Sequence, residues 1–217
     1  MQSSLPFSAA ADRNKEAIGD AIEALLNHST TVLEIGSGSG QHAVYLCRRF
    51  GHLQWQVTEQ SQYLEGLQAV VSDASLDNIL NPFELEVSAV ADDGLTVEGM
   101  ESNYSLVYSA NTAHIMRFDQ VPALFTVVGH YLHDDGCFAL YGPFKENGQH
   151  NSDGNRDFDA SLRSEDSRMG IRDIEDLVEF ANRCGMVLAD QIAMPANNRI
   201  LLWRKSSDQE CARQNSA

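Results

Sequence analysis

The chain has 217 residues, 43% of them hydrophobic, and a formal net charge of −16. That length builds one well-buried α/β domain and falls short of two. The charge argues against nucleic acid as a partner, whose phosphates need a basic face, and a solvated acidic surface accounts for it. No apolar run approaches the roughly 20 residues of a membrane span. The N-terminus lacks the charged, apolar and small-residue order of a signal peptide, so the expected location is cytoplasmic, with no membrane partner. Cys47, Cys137, Cys184 and Cys211 contain no CxxC pair and read as reduced thiols, the first three packed in or near the core.

In chain order, residues 1–11 read as a loose lead-in. Asp12 is placed to cap a helix running to about residue 27, with Ile18, Ile22, Leu25 and Leu26 on one face. Residues 31–35 form a short apolar strand, and a helix follows from about Gly40 to Phe50. Between them lies the turn Gly36, Ser37, Gly38, Ser39, Gly40, whose glycines permit positive φ and close approach of a ligand to bare backbone. The new helix aims free N–H groups at the space above that turn. Residues 54–58 form strand two, residues 63–72 a helix, residues 83–87 strand three, and residues 104–110 an apolar strand four. An amphipathic helix covers residues 120–132, and Asp134, Asp135 and Gly136 make a turn into a fifth strand over residues 137–141. From Gly142 to about Gly170 the apolar periodicity fails, which reads as a long functional loop, a lid or substrate segment. A helix returns over residues 171–184, with Ile174, Leu177, Val178 and Ala181 in phase. Strands over residues 186–193 and 199–204 are joined by Met194, Pro195, Ala196, Asn197 and Asn198; the domain is expected over residues 1–205, and residues 206–217 read as a flexible tail.

Strands alternating with helices imply a mostly parallel sheet covered on both faces. The short link between the last two strands makes them antiparallel. Five parallel strands and an antiparallel hairpin give a seven-stranded, Rossmann-like α/β sheet. This is the class I methyltransferase arrangement that uses S-adenosylmethionine (SAM), and a nicotinamide-binding domain lacks that ending.

The glycines run Gly-x-Gly-x-Gly, so Gln41 and Ala43 stand where a dinucleotide fingerprint wants its last glycine. Glu34 is placed to order the turn and to offer negative charge near a methionine ammonium, or only to cap the turn. Glu59, ending strand two, can accept both ribose hydroxyls of SAM or of NAD, or cap the next helix with Gln60 beside it. Glu86 and Val87 close strand three, where an acid or its neighbour meets an adenine amino group. Asn111 and His114 follow strand four at the carboxyl edge of the sheet, and His114 is either a general base or a packed, non-titrating ring. His130 and His133 lack further ligands, so no metal is expected. No nucleophile elbow is present, which argues against hydrolysis.

Six stretches carry a family resemblance: Arg13-Asn14-Lys15; residues 32–44 with Gly40-Gln41-His42; Ala110-Asn111-Thr112-Ala113-His114-Ile115; Tyr141-Gly142-Pro143-Phe144; Phe158-Asp159-Ala160-Ser161-Leu162-Arg163; and Met194-Pro195-Ala196-Asn197-Asn198. On these the chain resembles a methyltransferase-like family, domain of unknown function 938, with bacterial members and a human methyltransferase-like relative. The resemblance spans about residues 5–205. It implies the SAM-dependent methyltransferase fold, with Glu34, Gly36, Gly38, Glu59 and Asn111 at the cofactor; Glu59 and Glu86 stand where aspartates are expected. It brings no substrate with it.

The full expected cofactor set adds Ser37, Gly40, His42, Gln60, Glu86 and Val87, with Arg13 and Asn14 folding over from the N-terminal side. Tyr141, Asn155, Phe158, Asp159 and Arg163 are expected to wall a substrate pocket, while Asn197 and Asn198 either join it or shape the last hairpin. The function expected is transfer of a methyl group from SAM to a small molecule, leaving S-adenosylhomocysteine, with His114 or Tyr141 as base where the acceptor must lose a proton. The alternatives are a SAM-binding or ligand-free methyltransferase fold acting through partners, and, third, a nicotinamide oxidoreductase. The oligomeric state stays open.

Overall fold

The computed structural model describes residues 6–92, 94–101 and 103–205. The start of the expected lead-in, the expected tail and Cys211 lie outside the described residues. Helix α1, Ala9–Ala21, is capped by Ser8, whose extended backbone lets its hydroxyl accept from the Ala11 N–H at 3.2 Å. Asp12, the expected cap, instead sits in the first turn and pairs with Lys15. The helical spin breaks at Ile22 and restarts as α2, Glu23–His28, so one expected helix is two.

Strand β1, Thr31–Ile35, leads into α3, Gln41–Arg49; β2, Gln54–Glu59, leads into α4, Ser61–Ala74. Strand β3 is Ile79–Glu84, four residues earlier than expected at its start. It is an edge strand, where Pro82 is tolerated because one side needs no ladder N–H, and its register with β2 slips there. Glu86 and Val87 therefore follow the strand rather than close it, and Val87 opens a short helix, α5, Val87–Asp92. Strand β4 is Tyr104–Ala110, and helix α6, Val121–Tyr131, follows a single 3-10 turn. Strand β5, Leu132–Gly142, takes in Asp134–Gly136 as an irregularity rather than a preceding turn: pairing with β4 jumps from Leu132 to Cys137, and Asp135 has φ of +66°.

The segment 142–170 is not a loop. It holds strands β6, Phe144–Glu146, and β7, Gln149–His150, joined by Asn147-Gly148, both at positive φ as a tight hairpin requires. Helix α7, Asp153–Glu165, follows, capped by the Ser152 hydroxyl. Strand β8, Arg172–Asp173, pairs with β6, and α8 is Ile174–Arg183. Strands β9, Met186–Met194, and β10, Asn198–Lys205, finish the described chain.

The main sheet runs β3-β2-β1-β4-β5-β10-β9. Strands β1 to β5 are parallel, while β10 is inserted antiparallel between β5 and β9. Alternate residues of the central strands feed two cores. Val32, Leu106 and Tyr108 pack with Ile18, Leu46 and Leu67 of α1, α3 and α4. Leu33 and Val107 pack on the other face with Phe125 and Leu177 of α6 and α8, where Phe138 stacks on Trp203 at 5.4 Å. Both faces being covered explains the nearly unbroken apolar run of β1. Cys47 and Cys137 are buried and Cys184 half-buried, all as free thiols. Among the described residues no helix is long and apolar enough to cross a membrane.

Helix α7 is tied down by polar groups. Asp159 is 7% exposed and accepts from the buried Ile171 N–H at 2.6 Å and from Arg163 Nε at 3.0 Å, with His150 Nε2 at 3.2 Å. Replacing it leaves a buried amide without its acceptor. Asp159→Ala is expected to lower the unfolding free energy by about 2–3 kcal/mol in denaturant titration; a loss below about 0.5 kcal/mol would show that this cluster does not hold α7.

Candidate functional site

The turn after β1 takes its shape from what surrounds it. Gly36 has φ of +74°, and a Cβ there would stand 2.6 Å from Thr112 Cγ2. Thr112 is fixed because its hydroxyl meets Ser109 Oγ at 2.6 Å, while Ser109 Oγ donates to the Ile35 carbonyl at 2.7 Å. Strand β2 holds the next residues. Ser37 N–H donates to the Thr58 carbonyl at 2.9 Å, the Thr58 N–H donates to Ser37 Oγ at 3.2 Å, and Gly38 N–H donates to Glu59 Oε2 at 2.6 Å. Glu59 Oε1 accepts from Gln60 N–H at 2.8 Å. Gly38, at φ +55°, has nothing within 4 Å of the place a Cβ would take. It is backbone open to a ligand.

Above this turn lies a cavity of about 780 Å³ at the carboxyl ends of β1 to β4. Such a volume suits a cofactor-sized molecule. Of the expected cofactor residues, Gly36, Ser37, Gly38, His42, Glu59, Gln60, Glu86, Val87 and Asn111 line it. Asn111 sits at φ +59°, a conformation asparagine tolerates, with its N–H donating to the Tyr141 carbonyl at 2.9 Å.

Glu34, Gly40, Arg13 and Asn14 are placed elsewhere. Glu34 is 2% exposed beneath the turn, where its Oε2 accepts from Trp55 Nε1 at 3.0 Å. Burial raises its pKa to about 7, against the opposing effect of hydrogen bonds from Trp55 and Ser37. It does not line the cavity, and its partners are Trp55 and Ser37. Gly40 caps α3 with a left-handed backbone, against Leu67 and Val70. Arg13 lies exposed on α1. Asn14 reaches the site through a relay: its Oδ1 meets His42 Nε2 at 2.8 Å, and His42 Nδ1 meets the Tyr108 hydroxyl at 3.2 Å. Burial, with Lys15 adding to it, drives the His42 pKa down to about 4 against a hydrogen bond to the Ala11 backbone, and burial lifts Tyr108 well above its usual value. A neutral ring is thus fixed with Nδ1 accepting from the tyrosine and Nε2–H donating to Asn14.

The two expected bases do not line the cavity. The His114 ring is 6% exposed and packs edge-on against Phe158 at 5.3 Å; burial, then Arg172, lowers its pKa to about 4. The Tyr141 hydroxyl accepts from Asn198 Nδ2 at 3.0 Å and has Asn14 as a second partner, while burial raises its pKa. Nor do the expected substrate residues line it. Asn155 Nδ2 donates to Asn151 Oδ1 at 2.7 Å and to the Asn197 carbonyl at 3.1 Å, Asp159 and Arg163 pair with each other, and Phe158 is exposed against His114. Asn198 braces the last hairpin through the Pro195 carbonyl at 3.2 Å.

Sequence reasoning missed Arg172. It is 3% exposed, and its guanidinium donates to the carbonyls of Ala113 at 2.9 Å, Arg168 at 3.1 Å and Met116, with the Phe118 ring 5.5 Å away. Burial, with Arg163 adding to it, pulls its pKa down to about 10. The residue pins the segment that carries Ile115 and Met116 into the cavity wall. No spacing in the sequence marks it, since its partners are backbone carbonyls.

A family model described as protein of unknown function, DUF938, matches residues 5–205. Among solved structures, the chain is similar to an O-methyltransferase family protein from Burkholderia thailandensis, with a TM-score of 0.76 and 13% identity over 92% of this chain and 58% of that one. It is also similar to human N-acetylserotonin methyltransferase in complex with SAM, with a TM-score of 0.72 and 12% identity over 91% of this chain and 53% of that one. The chain spans little more than half the length of either. At such identities the likeness shows the fold, a Rossmann-like methyltransferase fold.

The buried Glu34 makes stability depend on pH. Its folded pKa lies above the ordinary 4.5, so the folded state holds the proton more tightly; the stabilisation is complete below that value and is lost as pH rises through about 7. The charge then costs about 3 kcal/mol. Glu34→Gln keeps an acceptor for Trp55 without the charge. In ligand-free protein its melting temperature, relative to the parent, is expected to climb by roughly 5–10 °C between about pH 5 and pH 8; a flat difference would show that no charge is buried there.

Proposed function

This chain belongs to the DUF938 family, and from that premise we propose that it is a SAM-dependent methyltransferase acting on a small molecule. The observation that carries the reading is the cavity over an open glycine turn, at the carboxyl ends of parallel strands in a methyltransferase-type sheet. The residues fit the cofactor. Gly38 offers backbone with no atom within 4 Å of its would-be Cβ. Each oxygen of Glu59 holds one N–H and keeps a further lone pair for a ribose hydroxyl. In this reading Gly36, Ser37, Gly38 and Asn111 hold the amino-acid end, with His42 bracing that wall, and Glu59 and Gln60 take the ribose. Glu86 and Val87 take the adenine.

When bound, SAM supplies a sulfonium methyl group, whose transfer is an in-line displacement. What the chain contributes is alignment and exclusion of water. The position of His114 and Tyr141 behind the cavity wall supports a reaction in which proton removal by the protein is not the main demand. The same placement favours, as a second reading, a protein that binds SAM without catalysis. Transfer of labelled methyl to any acceptor separates the two.

Ligand titrations test the cofactor. S-adenosylhomocysteine at a hundred times its Kd is expected to raise the melting temperature by about 5–10 °C, and NADH to leave it unchanged. A shift with NADH alone, or with neither, overturns the reading. Glu59→Ala is expected to weaken S-adenosylhomocysteine binding at least tenfold, roughly the loss of a hydrogen bond to a charged group. Gly38→Ala should weaken it similarly while lowering stability by only about 1–2 kcal/mol, the ordinary penalty of a Cβ at positive φ. Gly36→Ala should cost more stability, because Thr112 blocks the new methyl. If Gly38→Ala binds as well as the parent, the turn is not the cofactor cradle.

A further inference from the structure

Three large exposed apolar side chains line one cavity. Phe7, Tyr63 and Ile115 are 70, 57 and 55% exposed, and all three line the cavity. Single exposed apolar residues are ordinary, but three exposed ones lining the same cavity are not. Each is also fixed by its surroundings. The N-terminal segment is seated on α4, with Pro6 so close to Gly66 that a Cβ there would stand 2.8 Å from Pro6 Cγ. Gly66 and Tyr63 lie one turn apart on the same helix face. One residue beyond Phe7, the Ser8 N–H donates to Gln41 Oε1 at 2.5 Å. Phe7 is thereby held between two anchors. Ile115 lies between Ala113 and Met116, whose carbonyls Arg172 grips from behind.

The charges around this rim have one sign. Glu59 and Glu86 line the cavity, and among the described lining residues none is Lys or Arg. The cations beside Ile115 and Met116 are engaged: Arg117 lies 3.4 Å from Asp119, and Arg172 donates to backbone carbonyls. An anion brought here would lose water and gain no counter-charge from the described lining residues. We propose that Phe7, Tyr63 and Ile115 form the acceptor-binding rim, and that the acceptor is an apolar small molecule carrying no negative charge. This rests on the cofactor reading above and adds the class of substrate to it.

Calorimetric titration of the protein saturated with S-adenosylhomocysteine tests it, using naphthol and naphthoate as matched probes that differ in charge. Naphthol is expected to bind at least about tenfold more tightly than naphthoate. Phe7→Ser and Ile115→Ser, at side chains exposed enough to spare the fold, are expected to weaken naphthol several-fold and to leave S-adenosylhomocysteine affinity within about twofold. Naphthoate binding as tightly as naphthol, no saturable binding of either, or no effect of the variants on naphthol overturns the proposal. A parallel fall in S-adenosylhomocysteine affinity also overturns it, because the rim would then belong to the cofactor. If S-adenosylhomocysteine itself does not bind, the cofactor reading fails on its own account, and the same probe pair on ligand-free protein still decides the rim.

Discussion

A turn built from glycines has amides to satisfy and no side chains to hold it, so its shape must be imposed by neighbours. Here β2 imposes it. The carbonyl and amide of Thr58 clasp Ser37 from both sides, and the Glu59 carboxylate takes the Gly38 N–H. That bond holds the one glycine of the turn whose would-be Cβ position has nothing within 4 Å. The rest follows from that clasp. Gly36 is left facing Thr112 too closely for any side chain, Gly40 caps α3 with a left-handed backbone, and the cavity acquires a floor made of backbone.

Behind this floor a chain of hydrogen bonds and one aromatic contact ties together residues far apart in sequence. The Asn198 amide reaches the Tyr141 hydroxyl, Asn14 bridges Tyr141 and His42, and His42 meets Tyr108, whose ring packs against Trp55, the donor to Glu34. Every link joins groups that stay neutral near neutral pH except the last. A satisfied buried network of this kind fixes relative positions more sharply than apolar packing does. It anchors α1 to the sheet, which explains why polar residues from both ends of the chain accompany a site to which Asn14, Tyr141 and Asn198 contribute no wall.

The parts legible in sequence are those where burial is apolar. β1, β4 and α8 appear at nearly their expected bounds because both their period and their chemistry announce them. Helix α7 escaped because its buried positions are Asn155, Asp159 and Leu162: the helical spacing is intact but written mostly in polar residues. Strand β3 was misplaced because an edge strand needs little apolar content and admits Pro82. Among site residues, the turn and the acid ending β2 were readable from position alone. The direction in which Glu34 faces was not, since a strand residue one step from a turn can point above or below it. Arg172 and the Phe7, Tyr63 and Ile115 rim were invisible for a simpler reason: they meet only once distant segments are folded together.

The place of β10 in the sheet has a consequence for how the molecule is assembled. Among the described residues, the last strand of the sheet to be synthesised is not at its border but between β5 and β9. Until residues 198–205 leave the ribosome, β5 exposes an unpaired apolar edge and β9 has no neighbour to dock on. The glycine turn and its parallel strands can form early from nearby segments, whereas closure of the sheet waits for pairings of long sequence separation. Synthesis therefore passes through a stage with a near-complete upper half and an open, sticky flank, the state in which edge-to-edge association between nascent chains competes with folding.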